Sequence, residues 1–106
     1  MAIAAPTAVA LTTTVQTLHT VPTGFRQIAE VVVANINTAN PATLVLNWTD
    51  ASAANASALL AQTDIAAKDG LLSPRKVLEA GDKLTASASA NGYLTASVNV
   101  VYEEPA

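Results

Sequence analysis

His19 is the only histidine in the chain, and histidine is the side chain whose unperturbed charge change falls near neutral pH. Nucleophilic catalysis would pair it with a hydroxyl and an orienting carboxylate. Serines are plentiful, but no Gly-x-Ser-x-Gly turn presents one. His19 sits in Leu18-His19-Thr20-Val21-Pro22, which predicts a strand or turn position with no chemical role. One imidazole and no thiol cannot build a histidine metal site. Eight carboxylates are scattered at Glu30, Asp50, Asp64, Asp69, Glu79, Asp82, Glu103 and Glu104. Glycoside hydrolysis would need two of them about 5–10 Å apart across a cleft, and no local spacing brings a pair together. Glu79 and Asp82 flank a turn and are expected to serve it. Glu103-Glu104 is expected to be solvated. There is no calcium loop of the Asp-x-Asp-x-Asp-Gly kind.

The four glycines stand alone at positions 24, 70, 81 and 92, so no glycine-rich loop cradles a phosphate. The five basic residues are Arg26, Lys68, Arg75, Lys76 and Lys83, with Arg75-Lys76 the only adjacent pair. Affinity for a phosphate backbone grows with the charges engaged, and two do not make a nucleic-acid site. The expectation is a non-enzymatic protein with no cofactor and no metal.

Contact chemistry is the remaining possibility. Trp48 shares a two-residue phase with Leu44 and Leu46 and belongs with the core. Phe25 opens a strand beside Arg26. Tyr93 falls in the phase opposite Leu94 and is expected to be partly exposed, where a tyrosine serves well as a contact residue. The apolar stretch from Met1 to Ala10 carries Ile3 and is broken by Pro6. The candidate interface residues are therefore Ile3, Pro6, Phe25, Arg26 and Tyr93.

The elements that must hold these residues are strands. In 42–49, Leu44, Leu46 and Trp48 alternate with Thr43, Asn47 and Thr49. In 83–90, Leu84, Ala86 and Ala88 alternate with Thr85, Ser87 and Ser89. In 93–103, Leu94, Ala96, Val98, Val100 and Tyr102 form one phase. This period of two marks half-buried strands. Asn91-Gly92 between the last two predicts a two-residue type I′ hairpin, because both turn positions need positive φ.

Val9, Leu11 and Val15 share a phase that Leu18 breaks, which predicts a bend or bulge near Thr14 to Thr17. Val21-Pro22-Thr23-Gly24 reads as a turn and 37–41 as a loop. The run Val31-Val32-Val33 within the β-prone stretch 25–36 predicts a strand covered on both faces. Residues 50–62 read as a loop leading into a short strand at 57–63, with a short helix over 50–61 as the alternative, since Asp50 can cap it and alanine favours it. Short strand pieces are expected at 65–67 and 71–72, and 77–82 is expected to end in a tight turn at Gly81-Asp82. That makes seven or eight short strands with regular turn signals: an all-β, single antiparallel β-sandwich, jelly-roll-like or immunoglobulin-like.

The chain's 106 residues allow one domain, read as residues 13–106 preceded by an N-terminal arm, 1–12. Hydrophobic residues make up 51%, but 23 of them are alanine. A buried Leu or Val contributes roughly 1.5–3 kcal/mol and alanine far less. The core is thin, and thin cores are often completed by a partner subunit. With no cysteine there is no disulfide scaffold. Charged residues are only 12%, too few for intrinsic disorder at this hydrophobicity. The net charge of −3 argues against nucleic acid as a partner. No apolar run reaches the roughly 18 residues of a membrane span. No Lys or Arg precedes Arg26, so the start lacks the positive region of a secretory signal, and the chain is expected to be made and used without export.

Three segments together carry a resemblance. One is Thr17-Leu18-His19-Thr20-Val21-Pro22-Thr23-Gly24, followed by the strand ending Val31-Val32-Val33-Ala34-Asn35. The second is Ala42 to Trp48. The third is Val77-Leu78-Glu79-Ala80-Gly81-Asp82-Lys83-Leu84-Thr85-Ala86 with the strand that follows. In this order they resemble small β-sandwich structural proteins of tailed bacteriophages, over roughly Thr13 to Glu103. Such proteins are capsid cement or decoration proteins, or minor tail and fibre components. The resemblance implies no catalytic residue. It implies a virion protein, made in the host cytoplasm, that binds the outside of the head and bridges capsid subunits. Its partners would be the major capsid protein and copies of itself, as a homotrimer at a three-fold site, with no nucleic acid and no membrane. A tail, neck or fibre-associated subunit is the alternative, and a carbohydrate-binding sandwich module a more distant one.

Overall fold

The computed structural model describes residues 8–106. Ile3 and Pro6 lie outside the described residues. Nine strands follow one another: β1 (Val9–Ala10), β2 (Gln16–Thr20), β3 (Phe25–Asn35), β4 (Ala42–Asp50), β5 (Ala56–Ile65), β6 (Gly70–Leu72), β7 (Lys76–Leu78), β8 (Lys83–Ala88) and β9 (Leu94–Pro105). One sheet has the order β1-β9-β3-β6, with β7 pairing the same edge of β3; the other has the order β2-β8-β4-β5. All pairings are antiparallel.

Almost every connection crosses from one sheet to the other. Only β4 to β5 and β6 to β7 stay within a sheet. With β6 and β7 taken as one interrupted strand, this is jelly-roll connectivity, two interlocked Greek keys. An immunoglobulin-like sandwich joins several successive pairs within a sheet, so that alternative is set aside.

Alternation explains why the sheets pack. Val31 and Val33 of β3, Leu44 and Leu46 of β4, Leu84 and Ala86 of β8, and Leu94 and Ala96 of β9 are buried between the sheets, joined by Leu11, Val21, Ile65 and Leu78. Five of the fifteen buried apolar residues are alanine, so the core is as thin as composition implies. Residues 9–11 take part in the sandwich: Val9 and Ala10 pair with Ala96 and Thr95, and Leu11 is fully buried.

The expected hairpin at Asn91-Gly92 does not form. β8 pairs with β2 and β4, whereas β9 pairs with β1 and β3 in the opposite sheet. The connection is a corner. Only Gly92 has positive φ there (+76°), and Asn91 does not share it. The Asn91 side chain instead accepts from the Thr13 amide at 2.9 Å, and the Gly92 amide donates to the Leu11 carbonyl at 2.9 Å. Alternation reports which side of a strand is buried; it does not report which strand lies beside it.

Three smaller corrections follow from the same sandwich geometry. β3 is covered on one face only, since Val31 and Val33 are buried while Val32 is 39% exposed. There are nine strands because β1 has two residues and because Ser73-Pro74-Arg75 splits β6 from β7. Pro74 cannot donate to the ladder, and beside it the Ser73 hydroxyl, in place of a backbone carbonyl, accepts from the Val31 amide at 2.8 Å. Residues 51–53 form a 3-10 turn capped by Asp50, with Ala54 and Asn55 left-handed behind it. The strand beyond it, β5, has ten residues, longer than the short strand expected at 57–63. The bulge expected before Leu18 is a register shift between Thr17 and His19.

Candidate interaction surface

His19 and seven of the eight carboxylates have hydrogen-bond or ion-pair partners within the fold. His19 Nε2 lies 2.6 Å from Gln27 Oε1, and Gln27 Nε2 donates to Glu103 Oε2 at 2.5 Å. This chain links β2 of one sheet to β3 and β9 of the other, and no hydroxyl hydrogen-bonds to His19 among the described residues. Asp50 caps the 3-10 turn through the Ser52 amide at 3.0 Å. Asp64 accepts from the Thr43 hydroxyl, and Asp69 from the Gly70 amide.

Asp82 is 1% exposed. It accepts from Trp48 Nε1 at 3.1 Å, from the Ala51 amide at 2.9 Å and from the Glu79 amide at 3.0 Å. Among the described residues no group of three His, Cys, Asp or Glu side chains could hold a metal ion. Strand alternation splits the Arg75-Lys76 pair. Arg75 Nε meets Glu30 Oε2 at 3.3 Å on the outside, whereas Lys76 Nζ lies 3.8 Å over the Trp48 ring, a cation–π contact.

The feature that stands out is the outer face of the β1-β9-β3-β6/β7 sheet. The register places Val77 and Tyr102 on either side of Ile28. It likewise places Leu72 and Ser97 on either side of Val32. Directly opposed residues share a face with Cβ atoms about 5 Å apart. Val77 is 55% exposed, Leu72 58%, Tyr102 49% and Val32 39%. Single exposed apolar residues are ordinary, whereas several grouped on one sheet face mark a candidate interaction site. The Arg26–Glu104 pair borders one end of the face, and the Glu30–Arg75 pair crosses it between the cluster of Ile28, Val77 and Tyr102 and the pair Val32 and Leu72.

At the end of this face the Glu104 carboxylate accepts from Arg26 Nε at 2.8 Å and from the Tyr102 hydroxyl at 3.0 Å. The Arg26 hydrogen bond, then that of Tyr102, holds the Glu104 carboxyl below the usual glutamate value. In return, the Glu104 hydrogen bond raises both the guanidinium of Arg26 and the phenol of Tyr102.

The interface residues expected from sequence do not converge. Phe25 and Arg26 sit at the start of β3, opposite Pro105 and Glu104. Tyr93 lies beyond the other end, where its carbonyl accepts from the Ile36 amide and its ring packs against the core. The eleven residues of β3 separate the two ends by roughly 33 Å. Arg26 alone borders the apolar face.

Ile28, Val32, Leu72, Val77 and Tyr102 were not anticipated. Ile28 and Val32 carry a signal, in that they fill the polar phase of their strand. Tyr102 carries none. It continues the phase of Leu94 and Val100 in sequence, but the register shift that leaves Val101 unpaired turns Tyr102 outward. No protein-family model matches the chain, and no curated protein is significantly similar to it.

Proposed function

We propose that the protein is a non-enzymatic structural subunit of a phage virion, most simply a cement or decoration protein. It would bind the outside of the head through the outer face of the β1-β9-β3-β6/β7 sheet. The observation that carries this reading is a set of apolar residues on one open sheet face, Ile28, Val77 and Tyr102 at one end and Val32 and Leu72 beyond the Glu30–Arg75 pair. A thin alanine-rich core beside an exposed apolar face suits a chain whose stability is completed by assembly. The jelly roll is an architecture that capsid domains and lectins use, and it supports a structural role without choosing one.

The partners would be the major capsid protein and further copies of this chain, with synthesis in the host cytoplasm. A docked copy should bury at least about 1,000 Å², and many copies together would stiffen the shell. The test adds purified chain back to heads that lack it and measures co-sedimentation. L72E and V77E place charge on exposed positions and should fold normally, yet each should weaken binding about tenfold or more. Binding equal to wild type in both variants would overturn the assignment of this face. A tail or neck subunit would bind at a few sites per particle and leave the head surface bare.

A further inference from the structure

The two sheets have four edges among the described residues, and three are blunted. β1 has two residues, β2 has five and carries a bulge, and the β6/β7 edge is interrupted at Pro74. The fourth edge, β5, is different. It runs for ten residues, ASALLAQTDI, with no proline, glycine, lysine or arginine and a single charge, Asp64. All but Leu60, Ala61 and Ile65 are exposed, and β4 is the only strand it pairs with. A long, nearly uncharged edge presents a row of unpaired N–H and C=O groups, which is a template for another strand.

We propose that β5 pairs antiparallel with β5 of a second copy, joining two four-stranded sheets into one of eight strands. The pairing register follows from the bulge. Leu46 opposes Ala61 and Asn47 opposes Leu59, which leaves Leu60 as the extra residue. Ser57, Leu59, Gln62 and Asp64 therefore share the outer face with Thr49, Asn47, Val45 and Thr43, while Ala58, Ala61 and Thr63 share the inner face with Trp48, Leu46 and Leu44. A two-fold axis at Ala61 sets Ser57 opposite Asp64, Ala58 opposite Thr63 and Leu59 opposite Gln62.

Like faces meet in every one of those pairs. Asp64 never faces its own copy; it meets the Ser57 hydroxyl, twice per dimer. The two Leu59 side chains, each 56% exposed, come within diagonal reach across the axis. Such self-complementarity is what an isologous contact requires, and no foreign strand is needed to explain it. The association is a dimer where the phage resemblance implied a trimer, and it holds whether or not the chain belongs to a virion.

The test is the mass of the full chain by light scattering at micromolar concentration. The expected mass is twice the chain's 10.8 kDa. L59K brings two like charges together at the axis and should return the mass to one chain while circular dichroism stays unchanged. The chain has no cysteine, so the double variant S57C/D64C supplies a second measurement. Within one copy these positions are seven residues apart along an extended strand and cannot meet; between copies they face each other. Under mild oxidation the double variant should form a covalent dimer. A wild-type mass of one or three chains would overturn the proposal. So would a dimer that neither L59K dissociates nor S57C/D64C cross-links.

Discussion

The Glu104 carboxylate serves two donors at once, Arg26 and Tyr102, and this ties the ends of β3 and β9 together at the rim of the apolar face. Its carboxyl is held below the ordinary glutamate value by those hydrogen bonds. A carboxyl depressed in the folded state contributes stability that is present above its unfolded value and lost as pH falls through the folded one. The contact is open to solvent, so salt should weaken it. Carbon-13 titration should place Glu104 lower than a model glutamate, and R26A should bring it back up. An unchanged Glu104 midpoint in R26A would show that the arginine does not hold it. This cluster was only half legible in sequence. Arg26 stood out as a candidate contact, but Glu104 read as a solvated tail residue and Tyr102 as part of the core. The pairing of Arg26 with Glu104 depends on a register 78 positions long, and the outward turn of Tyr102 depends on a bulge with no sequence marker.

Asp82 acts between elements. It receives the indole N–H from β4, the amide of Ala51 at the start of the 3-10 turn, and the amide of Glu79 at the turn between β7 and β8. The turn itself needs Gly81, whose φ of +85° disfavours any other residue and where an added Cβ would come within 3.2 Å of the Ala51 Cβ. Losing the carboxylate leaves three part-buried donors without their acceptor, and an unsatisfied donor costs about 1–3 kcal/mol when buried. D82A should therefore lower the unfolding free energy by about 3 kcal/mol or more in a denaturant titration, and a loss below about 0.5 kcal/mol would contradict the role given to it.

The turn between β7 and β8 was readable from Gly81 and Asp82, and the strands at 42–49, 83–90 and 93–103 from their alternation, because one face of each is buried. The pairing of those strands was not readable. Asn91-Gly92 has hairpin chemistry, yet backbone bonds from 88, 89 and 92 to Thr12, Thr43 and Leu11 turn it into a corner, and these partners are remote in sequence.

At the scale of the molecule, the sandwich is a slab of 44 × 28 × 18 Å. A slab has much surface for its volume, which fits a core in which five of fifteen buried apolar residues are alanine. It leaves one open apolar sheet face and one open sheet edge, and these lie on different sheets. A chain could use both at once, the face for a larger partner and the edge for its own copy. Composition suggested a partner in outline, since thin cores are often completed by one. It could not locate the surfaces, because Leu72 and Val77 lie about forty residues or more from Ile28 and Val32 and meet them only through the pairing of β6 and β7 with β3.

The proposed role as a virion subunit is tested most directly by counting this chain in phage particles purified from cells that carry its gene, by quantitative mass spectrometry against the major capsid protein. Hundreds of copies per particle are expected of a protein that covers the head. A few to dozens would move it to the tail or neck, and its absence from purified particles would contradict a virion role altogether.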